Sequence, residues 1–341
     1  MKNKKIIALC VVGLAVAAAG IAYSLYAKIF SANTAFNEDK KIVFVFDSIS
    51  LESWLQLTEN AAVFKNTDIL LKTGQLKKFN QLKPGRYAIR KGMNSSAIIN
   101  LLRSGTQEPI RFRTDNVTTL EALAGKLGKN MRYDSLSYIR AFRNPENYPD
   151  ASFNDTTIAC IIKPNTYEFY WTITPEQFMD KMKAYHEKFW TEERLNKAKQ
   201  IGLNKNEVVI LASIVKAETM KTEEAPKIAG LYLNRLRIGK ALQSDPTAVF
   251  GAGLAHVQRV KNEIAVESAY NTYKRIGLPP GPINFPEDIY IDAVLQPENH
   301  NYLYMCAQPG GTGFHNFSKT FEQHSVYAAQ YRKWLNQQGI K

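Results

Sequence analysis

From Ile6 to Tyr26 the chain carries no charged residue, with Lys2, Lys4 and Lys5 on one flank and Lys28 on the other. A run of this length suits a bilayer-spanning helix, which needs about twenty apolar residues. The lysines before it predict the N-terminus in the cytoplasm and the rest of the chain outside, as a single-pass protein. A cleaved signal peptide is the rival reading, with Ala17 and Ala19 as an A-x-A site, but the apolar run continues well past it. Cys10 follows Leu9, which is too large for a lipidation signal. Beyond a polar tether, Ser31 to Lys41, Ile42, Phe44 and Phe46 alternate with Val43 and Val45, which predicts a strand buried on both faces. Helical stretches follow over Leu51 to Asn60 and Asn66 to Lys77. Lys83 to Tyr87 predicts a turn leading into a strand, and Ser95 caps a helix that runs through Arg103 and stops at Gly105. The sum is a small α+β module over residues 42–107.

Residues 108–341 predict a second, mixed α+β domain. A strand over Pro109 to Arg113 leads to two helices, one facing inward with Leu120, Leu123 and Leu127, the other with Leu136, Ile139 and Phe142. Asn144 to Asn154 is a loop, and Ile161 to Trp171 alternates polar and aromatic residues in strand fashion. Such an aromatic face serves either to stack on sugar rings or to fill a core. Thr174-Pro175-Glu176-Gln177 opens a long basic helix with a capping box, and that helix is expected to reach Leu203.

Asn204, with Glu207 three residues on, is a second capping box and fixes the phase of the next helix. Leu211, Ile214 and Val215 lie seven, four and three residues before Glu218, so the carboxylate emerges from an apolar stripe. Burial there disfavours the charged form and raises the pKa. The bland alternative is a Glu at a fraying helix end that reaches solvent. Another helix, roughly Thr222 to Ile238, puts Ile228, Leu231, Tyr232, Arg235 and Leu236 on one face and ends at Gly239. Leu242 to Thr247 is predicted to be extended because of Pro246, with alternating polar side chains that suit a groove for a polar polymer. Gly277 to Asn284 is too rich in Pro and Gly for a helix or central strand and predicts a rigid loop. Asp288 to Leu295 is helical, Tyr302 to Cys306 a strand, Gly310 to Gly313 a glycine turn, and about Lys319 to Gln337 a closing helix.

Composition narrows the partners. The net charge of +13, from 44 basic and 31 acidic residues, suits an anionic partner such as nucleic acid, a membrane surface or an acidic wall polymer. Export removes nucleic acid. Of the three cysteines, Cys160 and Cys306 sit in hydrophobic surroundings and read as isolated buried thiols, with a disulfide between them as the alternative. No G-x-S-x-G elbow, Walker A loop, dinucleotide-binding glycine motif or H-E-x-x-H occurs, and the five histidines lack metal-ligand spacing. No cofactor is expected, and carboxylates remain to carry acid and base chemistry.

Taken in order, Ala212-Ser213-Ile214-Val215 with Glu218-Thr219, Asn234-Arg235-Leu236, Leu242 to Thr247, Asn271-Thr272-Tyr273 and Gly277 to Ile283 resemble the YceG-like family of endolytic murein transglycosylases. Lys163 to Glu168 is similar to that family's Pro-Asp-Thr-Tyr segment, and Lys83 to Tyr87 to a turn in its LysM-like module. Two positions depart from its pattern: Asn284-Phe285-Pro286 replaces Ala-Asn-Pro, and Lys216 stands where some members carry Glu. The module over 42–107 accordingly resembles a LysM-like carbohydrate-binding module, with a plain spacer as the alternative. The resemblance implies a catalytic domain over 108–341 that cleaves the MurNAc-GlcNAc β-1,4 bond within peptidoglycan without water, leaving 1,6-anhydro ends. It implies Glu218 as the acid and then the base, and Asn234, Gln243, Asp245, Thr247, Asn271 and Tyr273 as groups that hold the glycan. Asp245 as a turn-capping residue stays open, as does a noncatalytic peptidoglycan-binding scaffold that tethers cell-wall synthases.

Overall fold

A computed structural model describes residues 2–114, 117–254 and 262–339. It has mixed α+β architecture with an apolar N-terminal helix, α1 (Lys2–Phe30). Within α1, Lys5–Phe30 is long and apolar enough to cross a membrane, and none of it packs inside the protein apart from its last turn, where Ile29 is buried. The described chain falls into two compact units, Met1–Phe112 with Glu168–Ile173, and Arg113–Tyr167 with Thr174–Lys341.

In the first unit β1 (Lys40–Val45) and β2 (Ile49–Ser50) precede α2 (Leu51–Gln56), α3 (Thr58–Ala61) and α4 (Thr67–Leu76). Then come β3 (Gln81–Leu82), β4 (Gly85–Arg90), α5 (Ser95–Ser104) and β5 (Ile110–Arg113). β1 pairs antiparallel with β4, Lys40 opposite Arg90 and Val45 opposite Gly85. Only one face of β1 is buried, through Val43 and Val45. The expectation of burial on both faces fails because β1 has helices on one side alone; Phe44 and Phe46 lie on the other, edge-on to Trp171 at 5.0 and 5.1 Å. The expected helix over Leu51 to Asn60 breaks at Leu57, whose extended backbone ends α2. Asn94 rather than Ser95 caps α5, accepting from the Ala97 amide at 2.8 Å, and Gly105 ends that helix in the left-handed region.

The second unit contains α6 (Leu120–Asn130) and α7 (Ser135–Phe142), then β6 (Thr166–Phe169), whose last two residues return to the first unit. α7 buries Tyr138, Ala141 and Phe142, whereas Leu136 is exposed, so its inward face is rotated from the expected one. The reason is the Tyr138, Phe142 and Phe178 ring cluster, with centroids about 6 Å apart, which claims the aromatic stripe. The long basic helix is two: α8 (Pro175–Phe189) and α9 (Glu192–Gln200), because Thr191 starts a new helix by accepting from the Arg194 amide. α10 (Lys205–Glu218) runs through the core, followed by α11 (Ala225–Arg237), α12 (Asp245–Gly251) and α13 (Asp288–Leu295). β7 (Tyr304–Ala307) and β8 (His315–Ser318) form an antiparallel hairpin that packs on α14 (Phe321–Gln337). Cys160 and Cys306 are both free thiols, so the disulfide alternative does not hold; burial raises the pKa of each.

Candidate active site

The site grows from the start of α10. Asn204 accepts from the Asn206 and Glu207 amides, and Glu207 returns a bond to the Asn204 amide at 2.8 Å. That box sets the phase, and Val208 to Val215 are then buried without interruption. Glu218 is the last residue of α10, since Thr219 turns to an extended backbone. The carboxyl therefore stands where a core helix surfaces, partly buried, on a cavity of about 1130 Å³.

Two buried hydroxyls converge on one carboxyl oxygen. Tyr232 of α11 donates to Glu218 Oε1 at 2.7 Å, and Ser244 donates to the same atom at 2.5 Å. Among the described residues no donor bonds to Oε2. Burial holds the Glu218 carboxyl above the usual carboxylate range; the Ser244 and Tyr232 bonds and His315 oppose that, and Asp245 adds to it. Burial also pushes the Tyr232 phenol well up, with the Glu218 charge adding to it, so Tyr232 stays a donor.

The loop that carries Ser244 is held from several sides. Arg235, buried on α11, donates to the carbonyls of Leu242 at 2.6 Å, Ala241 at 3.3 Å and Leu303 at 2.6 Å. The Gln243 amide donates to the Thr272 carbonyl and the Ser244 amide to Thr272 Oγ1. Within this clamp Gln243 has φ of 48°, a left-handed conformation that costs a non-glycine residue free energy. Strain of this kind persists only where the surroundings impose it.

The segment expected to be extended through Thr247 instead enters α12 at Asp245. Pro246 does not block the helix because it lies in the first turn, where its missing amide hydrogen has no helical partner to lose. This brings Gln243 and Asp245 to the cavity, together with Tyr273, whose hydroxyl donates to Asp245 Oδ1. Three other residues expected to hold a ligand do not line it. Asn234 donates to the carbonyls of His300 at 2.7 Å and Tyr302 at 3.2 Å, Thr247 donates to the Ser244 carbonyl at 2.6 Å, and Asn271 donates to the Val266 carbonyl at 2.8 Å. Thr247 and Asn271 are fully buried.

The far wall consists of β7, β8 and α14, with Tyr304, His315, His324 and Arg332 on the cavity. His315 is fixed by Glu224, which accepts from its backbone amide at 3.0 Å and its Nδ1 at 2.9 Å. Lys216 lies outside this constellation, pairing with Glu287 at 2.7 Å. Among the described residues no three His, Cys, Asp or Glu side chains gather as a metal site. Sequence reasoning missed Tyr232, Ser244 and His315. Tyr232 carried a readable signal, because a tyrosine on a buried stripe needs a partner for its hydroxyl.

Residues 45–330 match the model of the YceG-like family. The chain belongs to the YceG-like family. One relative is the endolytic murein transglycosylase of Bacillus subtilis (strain 168), 26% identical over 305 residues that cover 83% of this chain and 84% of the relative. Another is the endolytic murein transglycosylase of Streptococcus pneumoniae (strain D39), 26% identical over 281 residues, 73% of this chain but only 51% of that protein. A crystal structure of a YceG-like protein from Listeria monocytogenes aligns with a TM-score of 0.55 at 25% identity, over 85% of this chain and 99% of that one.

Proposed function

We propose that this protein is a membrane-anchored endolytic transglycosylase that cuts the β-1,4 bond between MurNAc and GlcNAc inside peptidoglycan strands. The names of its relatives support the substrate and reaction class. The observation that carries the mechanism is Glu218, a carboxyl group held above its usual pKa at the edge of a large cavity. A raised pKa keeps a fraction of the acid protonated at the working pH, as a general acid needs.

In this reading Glu218 gives its proton to the glycosidic oxygen as the bond from that oxygen to the MurNAc anomeric carbon breaks. The electron pair of the broken bond stays on the leaving oxygen. The MurNAc C6 hydroxyl then attacks the anomeric carbon and closes the 1,6-anhydro ring, and Glu218 as carboxylate takes the hydroxyl proton. No water is consumed. Tyr232 and Ser244 steady the carboxylate between the two steps by donating to Oε1. Gln243, Asp245 and Tyr273 contact the glycan from the cavity wall, while Asn234, Thr247 and Asn271 hold the backbone that presents them. Residues 42–107 act as a LysM-like module that keeps the strand near the membrane, and α1 is the single anchor, N-terminus in the cytoplasm.

Hydrolytic glycosidases usually pair two carboxylates, and Asp245 also faces this cavity, so the product decides. Digestion of purified sacculi in heavy-oxygen water is expected to give anhydro ends without label. Glu218→Gln, which keeps shape but not titration, is expected to abolish them. Labelled reducing ends, or undiminished anhydro product from the folded variant, would overturn the proposal.

A further inference from the structure

Glu224 and His315 form a largely buried pair, with His315 on the same cavity, that the single-carboxyl cycle leaves idle. Glu224 sits just before α11 and is 9% exposed. It grips His315 twice, Oε1 on the backbone amide and Oε2 on Nδ1, so neither ring nor backbone is free to turn. A carboxylate facing Nδ1 puts the proton of the neutral ring on Nδ1 and leaves the lone pair on Nε2. No described residue donates to or accepts from Nε2, and His315 lines the cavity. Glu218 lines the same cavity. A base whose orientation is fixed by a third group is how activated proton acceptors are built.

We propose that His315, oriented by Glu224, is a second catalytic residue that takes the proton of the attacking C6 hydroxyl. This rests on the reading of Glu218 as the acid, and replaces the Glu218 carboxylate with His315 as the acceptor of the hydroxyl proton. The hydroxyl O–H breaks toward Nε2 while its oxygen bonds to the anomeric carbon. The bond from that carbon to the bridging oxygen breaks with its electron pair on the oxygen, which receives the Glu218 proton. The imidazolium then returns its proton to the Glu218 carboxylate, and both groups are reset. Glu224 is a positioning residue that touches no sugar.

The test uses the full-length chain in detergent on uncrosslinked glycan strands, with anhydro ends counted by mass spectrometry. His315→Ala is expected to lower kcat by roughly 10²–10⁴, the range of general base catalysis, with KM within about threefold. Added imidazole is expected to restore at least about tenfold of that loss by occupying the vacated space. Glu224→Gln should lower kcat and leave KM alone. A kcat within about threefold of wild type, or a loss that imidazole does not touch, overturns the assignment. Should His315→Ala fail to fold, His315→Gln keeps a bond to Glu224 and must show the same loss of kcat; an unchanged kcat overturns it equally. The two readings fail separately: an active Glu218→Gln sinks the acid, whereas a dead Glu218→Gln beside an active His315→Ala sinks only the second base.

Discussion

At the scale of single residues, burial decides which groups titrate where they matter. His186 on α8 is 3% exposed between Phe153 and Trp190, and its Nε2 has no partner among the described residues. Burial holds its pKa down at about 4, against the usual ~6.5. The unfolded chain therefore takes up this proton first as the pH falls. His186 costs nothing extra above ~6.5, and stability drains between there and about 4, on the order of 3 kcal/mol in all. Urea unfolding of His186→Leu across that window is expected to lose this acid sensitivity, and to gain stability near neutral pH because an unpaired ring nitrogen is removed. In Glu218 too the charged form is the costly one, but its pKa is raised, so its contribution to stability is lost as the pH rises rather than as it falls. Glu218 was legible because a capping box fixed the helix phase and an apolar stripe then pointed at it. Tyr232 and Ser244 lie 14 and 26 residues away from it, and only packing brings their hydroxyls to one oxygen. His315 is hidden for the same reason, 91 residues from the Glu224 that fixes it.

At the scale of elements, local signals served best where the backbone alone sets the answer. The boxes at Thr174 and Asn204 and the left-handed stop at Gly105 stand where the pattern puts them. The pattern fails where neighbours choose the face, as in β1 and α7, or where one polar residue restarts a helix, as at Thr191. It also fails at α12, where proline starts a helix that it was expected to forbid. The loop before α12 offers a direct test of imposed geometry. Gln243→Gly relieves the positive φ and is expected to keep the melting temperature within a few degrees of wild type. Gln243→Val places a β-branched side chain in that conformation and should cost roughly 1–3 kcal/mol. Its calorimetric midpoint should fall, and cleavage with it, because Ser244 is the next residue and sets the Glu218 carboxyl.

At the scale of the whole molecule, a boundary drawn between residues 107 and 108 has no place for what Glu168–Ile173 does. Nothing in hydrophobic pattern marks six residues as belonging to a unit that ended 55 residues earlier, after Phe112. There Phe169 meets the Phe112 ring at 6.0 Å, Thr172 accepts from Gln107 at 2.8 Å, and Trp171 lies against Phe44 and Phe46. A fragment of residues 27–112 is expected to bind a hydrophobic dye and melt without a sharp transition. The same fragment with residues 166–173 attached through a flexible linker should melt cooperatively; equal behaviour of the two would refute the dependence. The return of this short segment also sets an order of events at the ribosome. The N-terminal unit is begun first yet cannot finish first, because Glu168–Ile173, with Trp171, is synthesised only after the 55 residues from Arg113 to Tyr167. The unit must stay open until residue 173 has left the ribosome, so its apolar core goes uncovered for longer than its position early in the chain suggests.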